Sequence, residues 1–239
     1  MSTIRPKVFA VIPAAGAGLR IGGAVKKQFL LLRDKPIIVH TLQRFEQCPD
    51  VDEIAVAVPE QSIAEMESML SHFRLHKVSL VTVGGEKRQD SVYNVLKKCN
   101  FKQSDIVLVH DGVRPFIEPK QITHLLKSCK EYGAAVLAVQ PKDTIRRSRG
   151  GDFFDQTLDR NALWLVQTPQ AFKAALLMKA FAKAKRDRFY GTDEAGLVER
   201  IGVRARIVEG SYDNIKITTQ EDVELGRLIL ERWRLRGLL

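Results

Sequence analysis

Residues 8–29 read "VFAVIPAAGAGLRIGGAVKKQF", from Val8 to Phe29. The stretch opens as an apolar run, Val8–Pro13, and passes into a loop of alanine and glycine. A short run that is apolar at almost every position and ends in Pro and Gly fits a strand buried on both faces. Gly16, Gly18 and Gly22 read G-x-G-x-x-x-G, one residue off the dinucleotide fingerprint. No G-K-[ST] follows them, which excludes a Walker loop. Glycine and alanine allow a backbone to approach a phosphate closely with its N–H groups turned inward. A tight turn would also account for the glycines. Arg20, Lys26 and Lys27 follow within the same stretch and favour a phosphate cradle over a cofactor diester. The only acidic residue near enough to hold a dinucleotide ribose is Asp34, in a turn-like "RDKP".

The same pattern recurs along the chain. Apolar runs at Ile54–Val58, Lys77–Val83, Ile106–His110 and Ala134–Val139 read as strands. Amphipathic stretches at Pro36–Gln47, Gln61–Phe73, Ser91–Cys99 and Lys120–Tyr132 read as helices between them. Strands alternating with helices predict an α/β fold. A Rossmann-like, mostly parallel twisted sheet carries helices on both faces and binds ligand at the strands' C-terminal ends. After Gln140 the rhythm breaks. Residues 141–166 are polar, with a Gly-Gly turn, and read as a β-arm projecting from a single domain of residues 1–239. Helices resume near Lys173–Lys185 and Thr192–Ile201. A strand Ala205–Val208, a strand-like "NIKIT" and a final helix from Gln220 complete the expectation.

Composition narrows the class of protein. The 239 residues are 45% hydrophobic and 28% charged, as in a globular domain, with a net charge of +10. That excess suits a polyanionic partner, either nucleic acid or phosphorylated small molecules. Much of it lies in "KAKRDR" and "RWRLRG", which read as solvated helix faces; no nucleic-acid-binding signature accompanies them. Cys48, Cys99 and Cys129 are far apart and read as reduced thiols of a cytoplasmic protein. The basic start, Arg5 and Lys7, imitates a signal peptide, but Pro13, Gly16 and Gly18 break the apolar run. No run approaches the roughly 18 apolar residues of a membrane span.

Further candidates stand at the ends of the expected strands. "IVLVHDGVRPF" places Asp111 and Gly112 just past a buried strand, where a carboxylate serves either as a Mg²⁺ ligand or as a loop cap. "VGGEKRQDSV" places Gly84, Gly85, Glu86, Arg88 and Ser91 after another strand, for close approach of a base or sugar, or for an ordinary turn with Asp90 or Ser91 capping the next helix. Thr192 and Asp193 open a helix whose N-terminus also suits a phosphate. Asp213 and Lys216 lie in "DNIKIT", a position that by itself reads as structural. Arg160, in "DRNALWLVQTPQAF", suits a phosphate or an ion pair with Asp159 or Asp155.

Taken in order, "PAAGAGLRIG", "KKQF", "GGEKRQDSV", "VHDGVRPF", "KDT", "DRNALWLVQTPQAF", "TDEA" and "DNIKIT" resemble the 2-C-methyl-D-erythritol 4-phosphate cytidylyltransferases of the non-mevalonate isoprenoid pathway. The resemblance covers nearly the whole chain. It implies a nucleotidyltransferase that joins CTP to methylerythritol phosphate and releases pyrophosphate. It implies that Ala14, Ala15, Gly16 and Gly18 wrap the nucleotide, with Gly85, Glu86, Ser91, Asp111 and Gly112 near its base and ribose. It places Arg20, Lys27 and Lys216 around the α-phosphate as the catalytic cations. It sets Asp111 beside Mg²⁺, with Asp213 as a second metal-side carboxylate. Thr144, Arg160, Thr168 and Thr192 then serve methylerythritol phosphate, and the arm exchanges across a homodimer. Two departures stand out: Lys26 where the family often has Pro, and Glu86 where it often has Asp. Competing expectations are a ribitol 5-phosphate cytidylyltransferase, an NADP-dependent oxidoreductase and a basic nucleic-acid-binding protein.

Overall fold

The structure, a computed structural model, describes residues 5–16 and 27–238. Gly18, Gly22, Arg20 and Lys26 of the loop therefore lie outside the described residues. The main sheet is built from β1 (Val8–Pro13), β4 (Glu53–Val58), β5 (Val78–Val83), β6 (Ile106–Val109), β7 (Ala134–Val139), β10 (Leu165–Lys173) and β11 (Arg206–Glu209). Two short hairpins stand apart from it: β2 (Leu31–Leu32) with β3 (Lys35–Pro36), and β8 (Arg146–Arg147) with β9 (Gln156–Thr157). The helices are α1 (Ile37–Glu46), α2 (Ile63–His72), α3 (Arg88–Lys98), α4 (Pro119–Tyr132), α5 (Ala174–Arg186), α6 (Glu194–Glu199) and α7 (Gln220–Leu235).

The sheet order is β11-β7-β10-β6-β1-β4-β5. Every neighbouring pair is parallel except those made by β10, which runs antiparallel to β6 and β7. Period-2 alternation sends side chains to two separate cores. Val8, Ala10 and Ile12 of β1 and Ile106 and Leu108 of β6 face one, packed against Leu42 and Phe45 of α1, Met66 of α2 and Leu125 of α4. Val11, Val107 and Val109 face the other, against Val92 and Val95 of α3 and Leu177 and Phe181 of α5. A third cluster joins Leu32, Phe116, Ile217 and Trp233 beneath α7. From β1 the chain winds one way through β4 to β5, then returns to place β6 on β1's other side. The crevice at this switch point, past the C-terminal ends of β1 and β6, is where such sheets bind ligands.

Two expectations are corrected. The arm was expected to run through residue 166 and to be followed by a helix, yet Leu165–Lys173 is a strand inside the main sheet. Gln167, Thr168, Pro169 and Gln170 disguised it, because polar residues and an internal Pro argue against a central strand. Their side chains are satisfied from outside the ladder. Gln167 donates to the Ser211 carbonyl at 2.8 Å and Gln170 to Asp193 at 2.7 Å. The ladder also shifts register between Val166 and Gln170. The second correction is "NIKIT", which forms no strand. The segment is tied down by single bonds instead, such as Ile217 N–H to the Val113 carbonyl at 2.9 Å.

Candidate functional site

The crevice holds two adjoining cavities. The first is lined by Ala14, Ala15, Gly16, Lys27, Gly85, Glu86 and Ser91. The second is lined by Arg114, Thr168, Gln170, Thr192 and Asp193. Arg88, Asp111 and Lys216 line both and form the wall between them.

Small residues let three loops meet around the first cavity. A Cβ on Gly85 would stand 2.3 Å from the Asp90 Cβ, and one on Gly112 would stand 2.8 Å from Ile38 Cδ1, so neither position admits a side chain without movement. Ser91 is buried, and its hydroxyl accepts the Gly85 N–H at 3.0 Å. Gln28, also buried, donates to the Ala14 carbonyl at 2.7 Å and fastens the Lys27 turn to the end of β1.

The wall is an ionic cluster. Arg88 donates from Nε to Asp111 Oδ1 at 2.8 Å, and from Nη1 to both Glu194 oxygens at 2.7 and 2.9 Å. Lys216 Nζ stands 2.8 Å from Asp111 Oδ2, and Arg114 Nε stands 3.6 Å from the same oxygen. Burial alone would raise the Asp111 carboxyl. Arg88, Lys216 and Arg114 outweigh it and hold Asp111 well below the usual carboxylate range. Burial works against the Arg88 charge too, and Glu194 and Asp111 reverse it and raise that guanidinium. Glu194, enclosed in the fold, is pushed up by burial, with Arg88 opposing the shift. Arg88 Nη2 and Arg114 Nε are buried without a hydrogen-bond partner. Donors of this kind at a cavity wall suit an anionic ligand.

His110 is no proton shuttle. Its Nε2 donates to the Arg114 carbonyl at 2.9 Å, so Nδ1 accepts from the Thr168 hydroxyl at 3.1 Å. Burial pushes the imidazole down to about 4, with those bonds opposing, and it is neutral near pH 7. Thr168 in turn accepts the Asp111 N–H at 3.1 Å, which fixes the carboxylate's backbone.

The expected site residues divide accordingly. Ala14, Ala15, Gly16, Lys27, Gly85, Glu86, Ser91, Asp111, Thr168, Thr192 and Lys216 gather around the two cavities. Gly112 lies one residue behind Asp111, packed on Ile38. Thr144 and Arg160 are exposed on the arm and line neither cavity. Arg160 donates to the Lys142 carbonyl at 2.7 Å rather than to Asp155 or Asp159. Asp213 lines neither cavity, and its carboxylate accepts from Arg232 and from Trp233 Nε1 on α7. Sequence reasoning named Arg88 only as a neighbour of the Gly-Gly pair and left Arg114 and Glu194 out of the site. Arg88 was visible beside the Gly-Gly pair, and Arg114 follows Asp111 by three residues. Nothing local in the sequence marked Glu194 as the partner of Arg88, 106 residues away.

A glycine-lined cleft beside several cations and one ionised carboxylate, at the switch point of a mostly parallel sheet, is the arrangement of a nucleotidyltransferase. The family model described as IspD, 2-C-methyl-D-erythritol 4-phosphate cytidylyltransferase, matches residues 8–232. The chain belongs to that family, and it is a cytidylyltransferase enzyme of isoprenoid precursor biosynthesis. It is 40% identical to the 2-C-methyl-D-erythritol 4-phosphate cytidylyltransferase of Syntrophus aciditrophicus, over 96% of this chain and 98% of that one. It is 45% identical to that of Geobacillus kaustophilus, over 92% and 96%. Among solved structures, the Francisella tularensis enzyme superimposes with a TM-score of 0.79 at 33% identity, covering 93% of this chain and 99% of that one. The Thermus thermophilus enzyme gives 0.77 at 30% identity, covering 95% and 100%.

Proposed function

We propose that the first cavity takes CTP and the second takes 2-C-methyl-D-erythritol 4-phosphate, with the transferred α-phosphate at the Arg88–Asp111–Lys216 wall between them. The observation that carries this reading is that these three residues line both cavities. A phosphate oxygen of methylerythritol phosphate attacks the α-phosphorus of CTP, and the bond to the pyrophosphate leaving group breaks. The products are 4-CDP-2-C-methyl-D-erythritol and pyrophosphate. The attacking oxygen is already anionic, so the neutral His110 is not needed as a base. What opposes the reaction is the meeting of two anions. Lys27 and Lys216, together with Arg20 of the loop, offset that repulsion and stabilise charge that develops at phosphorus. Gly85, Glu86 and Ser91 support the base and ribose, and Thr168 and Thr192 the methylerythritol phosphate.

Asp111 supplies an ionised oxygen donor at the wall, and among the described residues no group of three or more His, Cys, Asp or Glu forms a cage. That donor set suits Mg²⁺, which takes one or two carboxylates and completes its shell from phosphate and water. When bound, Mg²⁺ neutralises charge on the phosphates.

The arm, residues 141–164, serves a homodimer in this reading. Phe153 and Phe154 at its tip are 85% and 68% exposed, which suits contact with a second copy, and Thr144 and Arg160 then complete the partner's acceptor cavity. The three free cysteines fit the reducing cytoplasm. No helix among the described residues is long and apolar enough to cross a membrane.

The test is pyrophosphate release with purified protein. CTP with methylerythritol phosphate is expected to give the highest kcat/KM, against other triphosphates and against ribitol 5-phosphate. Faster turnover of ribitol 5-phosphate would overturn the acceptor assignment.

A further inference from the structure

We propose that Asp213 and Trp233 form a latch that positions Lys216 for the reaction, so that the last helix acts on the site without touching it. The proposal rests on the reading of Lys216 as a phosphate-binding cation. Lys216 belongs to a segment that joins no sheet, so no ladder sets its place. Its backbone is held by separate ties. Asn214 is fully buried; its amide donates to the Thr168 carbonyl at 2.9 Å, and its own carbonyl accepts from Arg114 Nη1 at 2.8 Å. Ile217, also fully buried, bonds to the Val113 carbonyl. Asp213 makes the tie to α7: Trp233 Nε1 donates to its Oδ2 at 3.1 Å and Arg232 donates to its Oδ1.

Trp233 is a firm anchor for such a tie. It is 1% exposed, lies edge-on to Phe116 at 5.5 Å and carries the Arg44 guanidinium over its ring at 5.8 Å. Lys216 is the opposite case. Its side chain is 40% exposed and, among the described residues, its one ion pair is with Asp111. A long lysine stem in that setting has rotamer freedom to lose, so the backbone position of residues 213–217 decides where the ammonium points. A carboxylate with both oxygens committed to α7 is a structural acceptor, and this accounts for its turn away from the cavities.

The experiment uses the full-length chain. Trp233→Phe removes the N–H donor and leaves a smaller aromatic ring in the pocket, so Asp213→Ala, which leaves the indole in place, is the companion variant that breaks the same bond. Asp213→Asn keeps an oxygen for the indole, and Asp213→Ala removes it. Trp233→Phe and Asp213→Ala are each expected to lower kcat about 10-fold with KM for CTP little changed, since displacement by about an ångström is costly to turnover. Asp213→Asn is expected to restore most of the rate. In a Lys216→Ala background, Trp233→Phe is expected to cost nothing further, the non-additivity of two residues acting through one group. A second readout is independent of turnover: reductive methylation of Lys216, followed by mass spectrometry, is expected to accelerate in Trp233→Phe. Equal kcat losses with and without Lys216, or unchanged methylation, would overturn the latch. Loss in Asp213→Asn equal to that in Asp213→Ala, with a raised Mg²⁺ requirement, would return Asp213 to the metal. The unmutated chain in the same assay reports separately on the reaction itself, because methylation tests the latch whatever substrate is turned over.

Discussion

Lys216 and Arg88 both pair with Asp111, yet their removal should have different consequences. Lys216 is partly exposed, and Asp111 keeps Arg88 and Arg114 without it. Lys216→Ala, like Lys27→Ala, is therefore expected to fold with an unchanged melting temperature and to lose turnover by roughly 100- to 1000-fold, as when one preorganised donor is removed. Pyrophosphate release near the wild-type rate in either variant would remove that cation from catalysis. Arg88 is the only ion-pair partner of Glu194 among the described residues, and Glu194 is 1% exposed. Arg88→Met leaves two enclosed carboxylates undercompensated, which costs about 3–5 kcal/mol for a buried pair. Urea unfolding at neutral pH should show that loss, and a stability unchanged by Arg88→Met would mean the cluster is not built as described. At Asp111, EDTA is expected to abolish turnover and Mg²⁺ to restore it. Full activity in EDTA would take the metal out of the reaction.

At the scale of single elements, α1 carries both a structural and a titrating role. Its Thr41 hydroxyl donates to the Gly112 carbonyl at 3.1 Å, which links the helix to the Asp111 loop. On its other side, His40 Nε2 bonds to the Leu32 carbonyl at 2.9 Å, and burial lowers the imidazole below its ordinary range. The unfolded chain then binds a proton near pH 6.5 that the folded chain refuses, so this contribution is full above pH 6.5 and is lost as pH falls. Urea midpoints should drop between pH 7.5 and pH 5, and less so in His40→Gln. An identical drop in the two proteins would assign the acid sensitivity elsewhere. At α7, Thr219 caps the helix by accepting the Asp222 N–H while Asp222 returns a bond to the Thr219 N–H. That capping box sets the start of α7 at Gln220, where the final helix is expected from the sequence. The elements that escaped reading were β10 and the segment after β11. Both are polar stretches whose hydrogen bonds run to residues remote in sequence, so no local period announced their conformation.

For the molecule as a whole, the two cores meet through the sheet, whose central strands β1 and β6 send side chains into both. Leu108 of β6 is fully buried with α1 and α4 residues. Leu108→Ala is expected to cost about 2–5 kcal/mol in urea unfolding, with KM for CTP unaffected in the fraction that remains folded. The sequence by itself determined the alternation of strand and helix, the bounds of β1 and β7, the start of α7, and the presence of small and cationic residues near strand ends. Those features are local: period, composition and caps act within a dozen residues. The resemblance in ordered motifs also determined the family. Only the tertiary structure decided that β10 lies between β6 and β7, that Arg88 and Glu194 complete the ionic wall, and that Asp213 turns to Trp233. Each of these depends on which distant charges and donors come within about 3 Å. That is a property of the packed chain, where burial makes an unpaired polar group costly and so selects its partner.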